Sequence, residues 1–252
     1  MNNLFLYIFI ISIIVVLYLV IDIVRILIFE HENYKKKKFD IKDDFSSEIR
    51  EEYKSNVQEF KGVEKTVSSN LIGIGGGGCN IAEYLTLNYP NNYNTVIINS
   101  DKNALLSKKV ARKIHLKKDN DYGCGSNELC GFSLINENIL EQLRTYIGTN
   151  NKVFIVVTLG GGVGSGSTKA IAKYLHKMGI EIHLILVKPF QWEGRKKLLR
   201  ANDTLAFIKT FCNNIDIFYN DDLTRYSNSS MKECFTMLND KIDRTIKKGK
   251  YE

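Results

Sequence analysis

The sequence predicts an α/β protein, a doubly wound parallel sheet preceded by an N-terminal transmembrane helix. Three observations carry that expectation. Leu4 to Ile21 form an apolar run near the N-terminus in which Ser12 is the only markedly polar side chain besides the tyrosine hydroxyls. From residue 70 onward, short aliphatic and β-branched runs alternate with stretches of helical periodicity, the pattern of parallel strands covered on both faces by helices. Two glycine-rich segments each follow a strand and open a helix, the place where open parallel sheets bind ligands. At 44% hydrophobic and 25% charged residues with only 2 prolines, the 252-residue chain is neither disordered nor low-complexity. Its 5 cysteines form no C-x-x-C pair, which argues against a secreted disulfide framework or a zinc ribbon and for a reduced, cytoplasmic folded part.

The apolar run, LFLYIFIISIIVVLYLVI, measures about 27 Å as a helix, close to the hydrocarbon thickness of a bilayer. Residues to Phe29 extend it, with Asp22 and Arg25 at its cytoplasmic boundary, where each avoids about 2.5–3.5 kcal/mol of mid-membrane cost. A cleaved signal peptide would want a positive start and a small-x-small site; the start MNN has no charge and no such site follows. A buried soluble helix would want a polar face, and this segment has none. Lys35 to Lys38 follow the span, and no lysine or arginine precedes it. The positive-inside rule then puts the N-terminus outside and the rest in the cytoplasm, anchored to the cell membrane by a single pass. The lysine run reads equally as a lipid-headgroup contact or a solvated flank. It holds four of the charges behind a net +7, so no nucleic-acid partner is expected. The domain plan is a transmembrane helix over 1–29, a charged stem over 30–69, a folded domain over 70–247 and a tail over 248–252. In the stem, Ile49, Tyr53, Val57 and Phe60 recur at helical spacing over Ser46 to Phe60.

The expected strands are LIGI, TVIIN, RKIHL, KVFIVVTL, EIHLILV and DIFY. Helices are expected over Asn80 to Asn88, Ile135 to Ile147, Ser167 to Met178, Arg195 to Cys212 and Ser229 to Lys247. In the first loop, Gly73, Gly75 and Gly78 satisfy G-x-G-x-x-G, and Asp101 ends the next strand, where a dinucleotide fold keeps its ribose acid. That alone suggests an NAD(P)-dependent oxidoreductase. The second loop, Gly160 to Gly166, follows the fourth strand. Two such loops clasp a di- or triphosphate from both sides, each offering free N–H groups at a helix N-terminus.

Seven ordered segments then resemble the FtsZ/tubulin family, whose Rossmann-like domain binds GTP: IGIGGGGCN, NSDKNAL, GCGSN, the loop Gly160 to Gly166, KPFQWEG, YNDDL and CFTMLND. The resemblance runs from Asn70 to about Lys247 and implies GTP or GDP as ligand, with Mg²⁺. It implies phosphate contacts from Gly75, Gly76, Gly77 and Gly78, and from Gly161, Gly162, Val163, Gly164 and Ser165. Gly123, Cys124, Gly125, Ser126 and Asn127 would close over the γ-phosphate, and Asn99 and Asp101 belong to the Mg²⁺-associated loop. Glu193 and Lys197 would serve the ribose side. Phe235 would stack on the base and Asp240 would accept from guanine N1 and N2, with Asn80, Asn220 and Asn239 nearby.

Three residues depart from the family pattern. Val163 replaces a threonine, losing a hydroxyl donor to phosphate at about 1.5–3 kcal/mol. Lys197 replaces an arginine, turning a fork into a point charge, and Arg195 has the wrong spacing to replace it. Cys79 replaces a glycine, either as a reactive thiol or as a small buried residue. The family continues beyond the position of Asp240 through a long helix to a loop with two acidic residues that orient the attacking water of the neighbouring subunit. This sequence has only 12 residues after Asp240, so slow or absent hydrolysis is expected, with no catalytic residue assigned. His31, His115, His176 and His183 are scattered without metal-ligand spacing. The expected role is nucleotide-dependent assembly or scaffolding at the membrane, in cell division or membrane remodelling, as a homo-oligomer or with a second FtsZ/tubulin-like subunit. A GTPase active on self-assembly, or completed by a partner's acidic loop, is the alternative.

Overall fold

A computed structural model describes residues 69–117, 123–148, 152–225 and 229–249. Six strands form one parallel sheet: β1 (Ser69–Ile74), β2 (Tyr93–Asn99), β3 (Arg112–His115), β4 (Lys152–Thr158), β5 (Glu181–Lys188) and β6 (Ile215–Tyr219), in the order β3-β2-β1-β4-β5-β6. This is the order of doubly wound sheets, and it reverses direction between β1 and β4, where a crevice opens at the strands' carboxyl ends. The register is continuous: Ile72 pairs with Val96 on one side and Ile155 on the other. Leu71, Ile74, Ile97, Ile155 and Leu186 are entirely buried, because helices cover both faces.

The helices are α1 (Gly75–Asn88), α2 (Lys102–Leu106), α3 (Glu128–Ser133), α4 (Glu137–Ile147), α5 (Gly162–Lys177), α6 (Arg195–Ile208) and α7 (Met231–Gly249), with short 3₁₀ turns at Gln191–Glu193 and Asn220–Arg225. In α7, Cys234, Leu238, Ile242 and Ile246 recur every four residues and are buried, forming the stripe that docks the helix on the sheet. Each fully buried Ile or Leu contributes about 1.5–3 kcal/mol to that docking. A polar strap adds to it. The Tyr93 hydroxyl donates to Asp243 Oδ1 at 2.5 Å, and Lys247 pairs with the same carboxylate at 2.7 Å.

All six expected strands are present. The helices differ in where they begin: α1 and α5 start at Gly75 and Gly162, so the glycines expected to precede a helix form its first turn. The short α2 and α3 were not expected; each is set by its N-cap, Asp101 Oδ1 on the Ala104 N–H and Asn127 Oδ1 on the Cys130 N–H. The expected transmembrane helix and all but the last residue of the stem lie outside the described residues. Among the described residues, no helix is long and apolar enough to cross a membrane.

Candidate functional site

A cleft of about 870 Å³ opens at the carboxyl ends of β1, β2, β4 and β5, a size typical of small-molecule sites. One end is made by helix N-termini. Gly75, Gly76 and Gly77 from α1 line it, facing Gly161, Gly162, Val163 and Gly164 at the start of α5. Gly75 takes φ +72°, and a Cβ there would stand 2.9 Å from the Gly164 backbone nitrogen, so only glycine lets the two loops meet. No side chain caps either helix, and neither has an acidic residue in its first turn. The shorter α2, α3 and α4 are all capped, by Asp101, Asn127 and Asn136. Apart from the Gly162 N–H, which the Gly125 carbonyl accepts at 3.0 Å, uncapped N-termini leave backbone N–H groups for an anion, each helix adding about half a positive charge.

Gly123, Cys124 and Gly125 form a second wall. The Cys124 N–H donates to Ser100 Oγ at 2.9 Å, and Gly125 accepts from the Gly162 N–H at 3.0 Å. Asn99 and Asp101 line the cleft beside them.

The far end is aromatic and amide-rich. Phe235 meets Phe190 edge-on at 6.4 Å, and Trp192 stacks on Phe190 at 4.1 Å. Asn80, Asn220 and Asn239 complete this end. Asn220 is buried, and its Oδ1 has no hydrogen-bond partner. Glu193 Oε1 accepts from the Phe190 N–H at 2.8 Å, while Oε2 pairs with Lys197, which also lines the cleft. Arg195 is exposed and away from the cleft; Arg200 instead donates to the Gly160 carbonyl at 2.9 Å, bracing the second glycine loop.

Five expected site residues have other roles. Gly78 packs against β4, where a Cβ would lie 2.5 Å from the Val156 carbonyl oxygen. Ser165 is buried and its Oγ accepts from the Gly160 N–H at 2.8 Å, shaping the loop from behind. Asn127 caps α3, and Ser126 points to solvent outside the cleft lining. Asp240 lies outside the cleft lining, and its Oδ1 accepts from the hydroxyls of Tyr84 at 2.8 Å and Tyr89 at 2.9 Å. The adjacent Asn239 is the residue that lines the cleft. One step along a helix turns a side chain by about 100°, enough to exchange the two.

Ser100, Thr158, Phe190 and Trp192 line the cleft without having been assigned to it. Ser100, Phe190 and Trp192 sit inside the segments NSDKNAL and KPFQWEG, whose wording gave no signal of which side chains face the cleft. Cys79 resolves as the small buried residue: its thiol contacts the Ile98 carbonyl at 3.4 Å, and burial pushes its pKa up to about 12. The expectation of fully reduced cysteines is corrected by a disulfide between Cys124 and Cys130. No cluster of three or more potential metal-ligating side chains occurs among the described residues. The dinucleotide reading finds no support, since Asp101, the acid it needs for a ribose, caps α2 instead.

Such a doubly wound sheet with two glycine-opened helices facing one cleft defines a nucleotide-phosphate binding domain. Residues 69–228 match the Tubulin/FtsZ family, GTPase domain, and the chain belongs to that family. It is 29% identical over 180 residues to the cell division protein FtsZ of Buchnera aphidicola (subspecies Baizongia pistaciae), covering 70% of this chain and 46% of that protein. Among solved structures, an empty FtsZ dimer from M. jannaschii superposes with TM-score 0.62 at 27% identity, over 78% of this chain and 56% of that one. CetZ2 from Haloferax volcanii, a GTPγS-bound protofilament, shares the fold with TM-score 0.64 at 23% identity, over 71% and 57%. The chain spans about half the length of the curated relatives it matches.

Proposed function

We propose that this protein is a membrane-anchored guanine-nucleotide-binding module that assembles in a nucleotide-dependent way on the cytoplasmic face of the cell membrane, with weak or no hydrolysis of its own. The observation that carries the reading is the pair of uncapped helix N-termini, α1 and α5, opening onto one cleft. Their N–H groups suit a chain of phosphates. At the other end, Phe235 offers a stacking face, and the unpartnered Asn220 Oδ1 with Asn239 offers acceptors to guanine N1–H and N2–H. Adenine has no such pair of donors and would leave a buried acceptor unsatisfied, at about 1–3 kcal/mol.

Mg²⁺ fits the same end as the phosphates. It is commonly held by one or two carboxylates together with phosphate oxygens, and Asp101 is a carboxylate beside the glycine loops. When bound, Mg²⁺ would neutralise phosphate charge. Weak hydrolysis is inferred from the carboxylates at hand. Among the described residues the cleft has Asp101, whose Oδ1 caps α2, and Glu193, whose oxygens are held by Phe190 and Lys197. Neither is a free acid poised for water, so rapid turnover would need groups from a partner or a second copy. The dimer formed by FtsZ from M. jannaschii favours self-assembly.

The test is calorimetric titration of GTP, GDP, ATP and NAD into the full chain in detergent with Mg²⁺, followed by phosphate release on the same sample. Guanine-selective binding with negligible turnover is expected. Tight NAD binding with no response to GTP would overturn the reading, and phosphate release that rises with protein concentration would establish a GTPase active on self-assembly.

A further inference from the structure

The disulfide between Cys124 and Cys130 spans a sequence separation of 6 and closes the loop that forms one wall of the cleft. Cys124 is buried and lines the cleft, whereas Cys130, on α3, is half-buried and the more exposed of the two. The other three cysteines, Cys79, Cys212 and Cys234, are free and buried. The bridged loop lies on the start of α5, where the Gly162 N–H is taken by the Gly125 carbonyl at 3.0 Å. That N–H is one of the donors a terminal phosphate would seek, and the carbonyl oxygen in front of it repels an anion. Behind the loop, α3 is fastened to α5 by Ser167 Oγ, which donates to the Gly131 carbonyl at 2.7 Å, and by the Lys169–Glu128 ion pair. One end of the loop is therefore fixed through α3. At the other end residue 124 is held by its N–H on Ser100 Oγ at 2.9 Å, by its carbonyl on the Asn127 N–H at 3.0 Å and by the bridge to residue 130, so opening the bridge removes the one covalent tie that keeps the Gly125 carbonyl in place.

We propose that Cys124 and Cys130 form a thiol–disulfide switch that controls entry of a nucleoside triphosphate's terminal phosphate: bridged, the loop blocks the Gly162 donor; reduced, it yields it. This rests on the nucleotide reading above. Reduction proceeds by attack of a dithiol's thiolate on the Cys130 sulfur, which breaks the bond to Cys124, expels the Cys124 thiolate and forms a mixed disulfide. The reagent's second thiolate then releases Cys130 and leaves as a cyclic disulfide, so two electrons pass to the protein and both cysteines take up protons. Reoxidation runs the same steps backward with a small-molecule disulfide, which departs as two thiols.

The test uses the full chain equilibrated with glutathione disulfide or with dithiothreitol. Alkylation after denaturation counts free thiols: three in the oxidised protein and five in the reduced, from 5 cysteines of which one pair is bridged. A non-hydrolysable GTP analogue and GDP are then titrated into each form. The analogue is expected to bind about tenfold tighter or more after reduction, with GDP affinity unchanged. Cys130→Ser and Cys130→Ala, outside the cleft lining, are expected to behave as reduced protein in either buffer, with GDP binding reporting that they fold. Equal affinities for the analogue in both forms, or five free thiols after oxidation, would overturn the switch while leaving the nucleotide site intact. Failure of both nucleotides to bind in either form would overturn the site and the switch together.

Discussion

A buried acceptor without a partner costs about 1–3 kcal/mol, and Asn220 Oδ1 stands in that condition on the wall of the cleft. A guanine edge removes the deficit, so Asn220→Ala is expected to weaken GDP binding about tenfold while thermal stability stays level, a pairing that titration and a melt on one sample would check. The glycines of α1 separate in the same way. Gly76 has open space where a Cβ would go, and Gly78 has the Val156 carbonyl oxygen 2.5 Å away. Gly76→Ala should therefore keep or raise stability, by up to about 1 kcal/mol, yet weaken phosphate binding. Gly78→Ala should lower the melting temperature whether or not nucleotide is present. Residue identity was legible here and residue orientation was not. The glycine spacing marks both loops, but Asn239 and Asp240 are adjacent acids or amides in one segment, and only the packing of α7 decides which reaches the cleft and which reaches Tyr84 and Tyr89.

Helix α7 is the element on which those positions depend, and its anchor is polar. Asp243 is 2% exposed, accepting from Tyr93 and pairing with Lys247. Asp243→Ala leaves the buried Tyr93 hydroxyl unpaired and should cost about 1–3 kcal/mol in denaturant unfolding. Since Phe235 and Asn239 ride on the same helix, nucleotide affinity should fall as well. Burial first, and then the hydrogen bond to Asp240, push the Tyr84 hydroxyl up to about 12; burial and Asp243 raise Tyr93 in the same direction. The folded state thus holds these phenolic protons more tightly than the unfolded chain, where tyrosine titrates near 10. The contribution of both is complete below about pH 10; that of Tyr84 is lost as pH climbs through about 12, and that of Tyr93 declines over the same alkaline range and beyond it. Melts across that window should fall steeply for the wild type, and Tyr93→Phe should flatten the fall; an unchanged slope would remove Tyr93 from the account. The strands were legible because burial on both faces makes them continuous apolar runs, as in KVFIVVT of β4. Helices α2 and α3, at 5 and 6 residues, are too short to show a period, and the glycines of α1 and α5 read as loop because their helical first turn is stabilised by tertiary contacts.

At the scale of the whole domain, the parallel sheet and a cleft at its carboxyl ends follow from the alternation of strands and helices, whereas the strand order does not, because more than one doubly wound order shares that alternation. Nor does the disulfide, since nothing in the spacing of Cys124 and Cys130 distinguishes a bridge from two free thiols. The cleft is assembled from both wings of the sheet. Gly75 belongs to the wing of β1 and β2, Gly162 and Phe190 to that of β4 and β5, and Asn239 to α7, which is strapped to β2 through Tyr93. A ligand lying across the switch point joins segments more than 160 residues apart in the chain, from Gly75 to Asn239. Occupancy therefore acts as a removable crosslink between halves of a fold whose parallel pairings are slow to find one another. At a hundredfold excess over its dissociation constant, a nucleotide adds about 2.7 kcal/mol to stability, and newly made chains should escape proteolysis best where guanine nucleotide is abundant. Pulse proteolysis with and without GDP would measure that protection.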